Sequence, residues 1–152
     1  MTDDERDAMV AVARAHAAAE RDGNIDATMA TLDDDPVYEL QPIGLTFRGR
    51  DAARRYYEHF FADCRPRMRG SELRSEWITD RGMLQEYTLH VGEPDGTTRR
   101  HDVVAILTFG RNGKLSGERL YASETLIRFL FGPVLSGARR VGPCSKTDPT
   151  GR

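Results

Sequence analysis

Glu118, His101 and Tyr57 are the residues of this chain best suited by type to move a proton. A carboxylate and an imidazole enclosed in one apolar hollow serve as general base and general acid, because burial raises a carboxyl pKa toward neutrality. Glu118 and His101 both lie in stretches that alternate like strands, Lys114 to Ala122 and Arg100 to Phe109. Tyr57 falls on the apolar stripe of a helix, where its hydroxyl needs a partner, either a ligand carbonyl or the backbone. Glu86 is a second carboxylate of the same kind. The competing role for Glu118 is an ion pair with Arg119 or Arg100 on a solvated strand face. His16, His59, His90 and His101 have none of the spacings that gather a metal, and Glu58-His59 lacks a second histidine four residues on, so neither metal nor cofactor is expected. Arg65, Arg67 and Arg69 read as a solvated loop, and Cys64, after an apolar stripe, as an inert thiol.

The elements that must position these groups follow from periodicity. Thr2-Asp3-Asp4-Glu5 is a capping box, and behind it Met9, Val12, Ala13, His16 and Ala19 recur at helical spacing up to Gly23. Asn24 caps a short second helix through Met29 and Leu32, and Asp33-Asp34-Asp35-Pro36 is expected to stop it. Val37–Leu40 and Leu45–Arg48 read as short strands around Gln41-Pro42-Ile43-Gly44. A third helix follows Asp51, with Ala53, Tyr57, Phe60 and Cys64 on its buried stripe. Four strands then follow in a meander: Leu73–Thr79, Met83–Val91, Arg100–Phe109 and Lys114–Ala122. Their turns, Asp80-Arg81-Gly82, Glu93-Pro94-Asp95-Gly96 and Gly110-Arg111-Asn112-Gly113, are strong hairpin signals. Ser123–Phe131 fits a final helix. Helices first and a meander afterwards give an α+β domain over residues 1–135, with a curved, mostly antiparallel sheet wrapped as a cone around three N-terminal helices. Residues 136–152 have little to bury and are expected to form a disordered tail.

If Phe109 pairs with Lys114, then His101, Val103, Ala105, Glu118 and Leu120 share one sheet face, because residues two apart point the same way. Pairing Glu93 with Gly96 adds Glu86 and Thr88 to that face. The more apolar set of the same strand is instead Met83, Tyr87, Leu89 and Val91, and one bulge reverses the assignment. Both parities stay open at this level.

Composition narrows the partners. With 22 basic and 24 acidic residues the net charge is −2, so no broad cationic face for nucleic acid is expected. The longest apolar stretch, Leu126–Leu135, is interrupted by Arg128, Gly132 and Pro133 and falls short of the roughly 18 residues of a membrane span. The acidic N-terminus lacks a signal-peptide layout, and Cys64 and Cys144 form no disulfide framework, so a cytoplasmic setting is expected.

Phe47-Arg48-Gly49-Arg50-Asp51 leading into Tyr56-Tyr57, and Gly113-Lys114-Leu115 followed by Glu118-Arg119-Leu120-Tyr121, resemble the nuclear transport factor 2-like superfamily. The SnoaL-like and ketosteroid-isomerase-like branches are the nearest, over about Asp4 to Pro133. The resemblance implies a cystatin-like conical α+β barrel, often a homodimer through the sheet, with a deep pocket for a small apolar or carbonyl-containing molecule. It also implies cofactor-free isomerases, cyclases or dehydratases, but the family's catalytic positions are substituted here. Gln41 stands before Pro42 where steroid isomerases carry a base aspartate, and Ala105 falls at their oxyanion acid. Tyr121-Ala122-Ser123 replaces the cyclase aspartate, and Tyr87 and Leu89 replace the arginine–aspartate pair of the epoxide hydrolases. The expected site therefore has Glu118 as base and His101 or Tyr57 as donor to a carbonyl oxygen. Gln41, Trp77, Glu86, Tyr87, Val103, Ala105 and Leu120 are expected to line the pocket. The alternatives are a binding module without turnover and a dimerisation domain whose hollow is incidental.

Overall fold

The computed structural model describes residues 1–142. Helix α1 (Asp3–Asp22) starts on the full capping box, with Thr2 accepting from the Glu5 amide and Glu5 accepting from the Thr2 amide, and it ends on a left-handed Gly23. Helix α2 (Ile25–Ala30) follows, capped by Asn24. The chain then runs through strands β1 (Leu32–Gln41) and β2 (Leu45–Arg48), helix α3 (Arg50–His59), a π-helical turn (Phe60–Cys64) and a short 3-10 turn (Arg65–Arg67). Strands β3 (Met68–Thr79), β4 (Gly82–Gly92), β5 (Thr98–Phe109) and β6 (Leu115–Tyr121) form the meander. Helix α4 (Glu124–Phe131), capped by Ser123, a 3-10 segment (Gly132–Gly137) and strand β7 (Arg139–Arg140) complete it.

One seven-stranded curved sheet runs in the order β3-β4-β5-β6-β1-β2-β7. Every described pairing is antiparallel except β1 with β6. The fold is therefore α+β, as the order of elements implied. The sheet stays open, with β3 and β7 as unjoined edges. Its concave face holds the core, where Tyr38, Leu40, Phe47, Val103, Ala105 and Leu120 meet Tyr56 and Tyr57 of α3 and Leu126, Ile127, Leu130 and Phe131 of α4.

Several boundaries differ from the sequence-level expectation: β3 starts at Met68, within the expected basic loop, and α2 ends at Ala30 so that Leu32 opens β1. Asp33–Pro36 lies inside β1, between the Leu32–Leu115 and Val37–Gly117 pairs where the register shifts. An irregular stretch of this kind makes no demand for the amide that Pro36 lacks. Residues 136–142, expected to begin a disordered tail, instead contain the end of the 3-10 segment and β7, which pairs with β2 through Leu45–Arg140 and Thr46–Arg139. The rest of that tail, 143–152, lies outside the described residues.

Candidate functional site

Which side chains face the core is decided at the two hairpins of the meander. Between β5 and β6, Phe109 pairs with Leu115 rather than Lys114, and a bulge then sets Thr108 opposite Gly117. The wider turn and the bulge each add one residue, so the two shifts cancel in parity. Glu118 still faces inward, now opposite Leu107, while Ala105 faces Leu120. Between β4 and β5, Gly92 pairs with Thr98, so Tyr87 opposes Val103 and Leu89 opposes His101. The apolar set of β4 therefore faces the core, and Glu86 is turned outward with 42% of its side chain exposed, within 3.9 Å of Arg74.

Gly117 brings the Glu118 backbone into position. A side chain there would place its first carbon 1.9 Å from the Val37 carbonyl oxygen, so only glycine lets β6 lie this close to β1. The next pair in register is Tyr38 with Glu118. Behind them, the Tyr38 and Tyr57 hydroxyls are 3.0 Å apart, and the Tyr57 hydroxyl is 3.1 Å from Nε2 of His16 on α1. His16 Nε2 is also 3.2 Å from Oε1 of Glu20, one helical turn on, and its Nδ1 is 2.7 Å from the Thr31 hydroxyl.

His16, Tyr38, Tyr57, Leu107, Gly117 and Glu118 line a cavity of about 10 Å³. That is room for a single water, well below the roughly 300 Å³ at which small-molecule pockets begin. The expected deep pocket is thus filled, chiefly by Tyr38, Tyr56, Tyr57 and Phe131. The Glu118 carboxyl faces this gap without a hydrogen-bond or ion-pair partner among the described residues. Burial, reinforced by the nearby Glu20 charge and only partly opposed by His16, pushes it up to about 7. For His16, burial works to lower the pKa, but the Glu20 and Glu118 carboxylates outweigh it and the net shift is upward. Burial holds the Tyr38, Tyr56, Tyr57 and Tyr87 hydroxyls well above their ordinary range, so they act as neutral donors and acceptors.

The expected residues divide sharply. Glu118 and Tyr57 meet at the cavity. His101 does not join them. It shares their face, but Leu107, opposite Glu118, lies six residues away along β5, about 20 Å at strand rise. Its Nδ1 instead lies 3.5 Å from the Ser123 hydroxyl, and burial together with Arg99 lowers its pKa. Val103, Ala105 and Leu120 are fully buried core residues beyond the cavity, and Tyr87 packs against that core. Trp77 stands on the outer face of edge strand β3, 52% exposed, paired with Leu84. Gln41 also faces outward, opposite Tyr121, into an open cleft of about 1190 Å³ that lies away from the buried carboxyl. The arginines offered as partners of Glu118 are engaged elsewhere, Arg119 with Glu39 at 2.8 Å and Arg100 with Asp102 at 2.9 Å. His16, Glu20, Tyr38 and Thr31 were missed as site residues. The available signal was His16 itself, a polar residue in the apolar stripe of α1 with a carboxylate four residues on.

The chain belongs to the SnoaL-like domain family, which matches residues 13–117. No curated protein matches it. Among solved structures it is similar to an NTF-2 like protein of unknown function from Burkholderia xenovorans LB400, at 26% identity over 77% of this chain and 84% of that one, with a TM-score of 0.60. It is also similar to SalBIII, an epoxide hydrolase/cyclase-like enzyme in pyran ring formation in the polyether salinomycin, at 17% identity, 82% and 96% coverage, and a TM-score of 0.66. A third is a Mycobacterium tuberculosis protein in complex with estradiol-17beta-hemisuccinate, at 15% identity, 78% and 95% coverage, and a TM-score of 0.64. At these identities the last two report on the fold alone.

Proposed function

We propose that this SnoaL-like domain binds a small, largely apolar carbonyl compound against Glu118 and moves a proton on it without a cofactor. The observation that carries this reading is the half-buried Glu118 carboxyl, turned inward with no protein partner among the described residues and set beside two linked tyrosine hydroxyls. A domain with only a packing role gains nothing from a carboxyl there, because enclosure away from any cation disfavours its charged form. With a pKa near 7, Glu118 is divided between base and acid at neutral pH, which suits a group that takes a proton from carbon and returns it to another. The carboxylate removes a proton α to the carbonyl, the tyrosine pair donates a hydrogen bond to the oxygen that gains charge, and the protonated Glu118 gives the proton back at the γ carbon. The net change is an isomerisation. A ligand larger than water requires the side chains around the cavity to give way, since the space between them is about 10 Å³.

The test is conversion of cyclohex-3-enone to cyclohex-2-enone in deuterated buffer. Turnover with deuterium at the γ carbon, abolished in Glu118→Gln, supports the reading, and a rate equal to buffer alone overturns it. The size of the cavity favours a second reading, a module whose hollow is incidental. The outer sheet face then carries the function, with exposed Trp77 and Tyr121 beside Leu84, Val104 and Ile106 as a homodimer surface. A Trp77→Glu variant separates the readings: a dimer mass lost by light scattering, in a protein without Glu118-dependent turnover, supports the second, and Glu118-dependent turnover in a protein that is a monomer before and after the substitution supports the first.

A further inference from the structure

Within that proposed site, the bonding of His16 has a direction that the Glu118 chemistry does not use. The Thr31 hydroxyl donates to the Thr28 carbonyl at 2.6 Å, so its proton is committed and it can only accept from His16 Nδ1 at 2.7 Å. Nδ1 therefore carries a proton in either charge state. The other nitrogen, Nε2, meets two oxygens of different character, the Glu20 carboxylate at 3.2 Å and the Tyr57 hydroxyl at 3.1 Å. Carboxylate and threonine together favour a ring with both protons. A hydroxyl, by contrast, tolerates either state, since it both donates and accepts.

We infer that Glu20 and His16 are positioning residues that set the direction of the hydrogen bonds along Tyr57 and Tyr38, and so decide whether the cavity meets a donor or an acceptor. When His16 carries both protons, Nε2–H points at Glu20 and Tyr57, Tyr57 donates to Tyr38, and the Tyr38 proton is free for a ligand oxygen. When Nε2 loses its proton, Tyr57 donates to Nε2, Tyr38 donates to Tyr57, and a lone pair faces the cavity. A carbonyl ligand is therefore recognised in the first state and a hydroxyl ligand in the second. The charged or titratable groups facing His16 are Glu20 from its own helix, Glu118 from β6, Tyr57 from α3 and, one bond further, Tyr38 from β1. Glu20 sits at the rim with 31% of its side chain exposed to solvent.

The experiment is ¹⁵N and ¹H NMR of the His16 ring and of the Tyr38 and Tyr57 hydroxyl protons from about pH 5 to about pH 9, in wild type, Glu20→Gln and Tyr57→Phe. Nδ1 is expected to stay protonated throughout, with both tyrosine resonances moving at the His16 midpoint. Glu20→Gln should lower that midpoint by about one pH unit or more and carry both tyrosine transitions with it. Tyr57→Phe should leave the Tyr38 resonance blind to His16. Tyrosine resonances indifferent to the His16 midpoint, or a neutral ring protonated at Nε2, overturn the inference. Glu118→Gln keeps the histidine–tyrosine coupling, so failure of the enone chemistry with the coupling intact rejects the proposed reaction and not this assignment.

Discussion

Two histidines of this domain sit in similar-looking clusters and do opposite work. His16 meets Glu20, Thr31 and Tyr57, while His59 meets Asp63, Cys64 and the Phe129 carbonyl of α4. A cysteine, a histidine and an aspartate within 3.5 Å and 2.9 Å of one another have the composition of a nucleophilic triad. Yet His59 Nε2 is 2.9 Å from the Phe129 carbonyl, a pure acceptor that calls for a proton on that nitrogen, and the Cys64 thiol points at the same carbonyl at 3.2 Å, so the thiol does not meet a lone pair of the ring. Burial, with the nearby Asp63 charge, pushes the Cys64 thiol up to about 12. That cluster is a clamp between the π-helical turn and α4. His16 differs in one partner: Nε2 meets a hydroxyl, which accepts either proton arrangement. What separates a mobile proton from a fixed one here is whether the second acceptor is also a donor.

The comparison can be broken most forcefully at Cys64. A thiol pKa of about 12 in place of 9.0 leaves roughly a thousandfold less thiolate at neutral pH, so a Cys144→Ser variant should react with a thiol reagent only as fast as it unfolds. Prompt labelling of the native protein would make the clamp a reactive site after all. The next effect belongs to Glu118. Its folded pKa of about 7 lies above the ordinary 4.5, so folding takes up a proton between those values. The stability lost is absent below pH 4.5 and complete above about pH 7. Glu118→Gln should therefore stabilise the fold by roughly 3 kcal/mol at high pH and by almost nothing at low pH in urea titrations. His16 has the same sign, its contribution being present below 6.5 and lost as pH rises through its higher folded value. His59→Ala should cost about 2 kcal/mol, since it removes the donor to Asp63 and leaves the Phe129 carbonyl with only the weaker Cys64 thiol. Tyr38→Phe, removing only the last hydroxyl of the chain, should cost about 1 kcal/mol.

The fold was legible where the signal is local. The capping box, Gly23, the hairpin turns and the change of period at the meander each act within a few residues, and they located the helices and strands. Asp33–Pro36 was misread because the partner that accommodates it, β6, is about 80 residues away. The inward face of Glu118 was legible because an acid among alternating apolar residues is visible in a strand. Its true neighbours were not, because Tyr38 and His16 reach it only through the parallel β1–β6 pairing and the lie of α1 across the sheet. His101 failed for a related reason: parity fixes a face but says nothing of distance along it. The choice between Glu86 and Tyr87, open in the sequence, turned on one residue of turn length, the smallest difference a sheet permits. Trp77 was assigned by residue type and Gln41 by its place in the family resemblance, and both side chains point to the side of the sheet that neither reveals.

The proposed proton transfer depends on a carboxyl that holds its proton near neutrality. The most direct measurement is the ¹³C shift of the Glu118 side-chain carboxyl followed across pH, assigned by its loss in Glu118→Gln. A midpoint near 7 that moves down when Glu20 is neutralised is the expected result. A midpoint at the ordinary 4.5, unmoved by Glu20→Gln, would mean a solvated carboxylate and contradict the account.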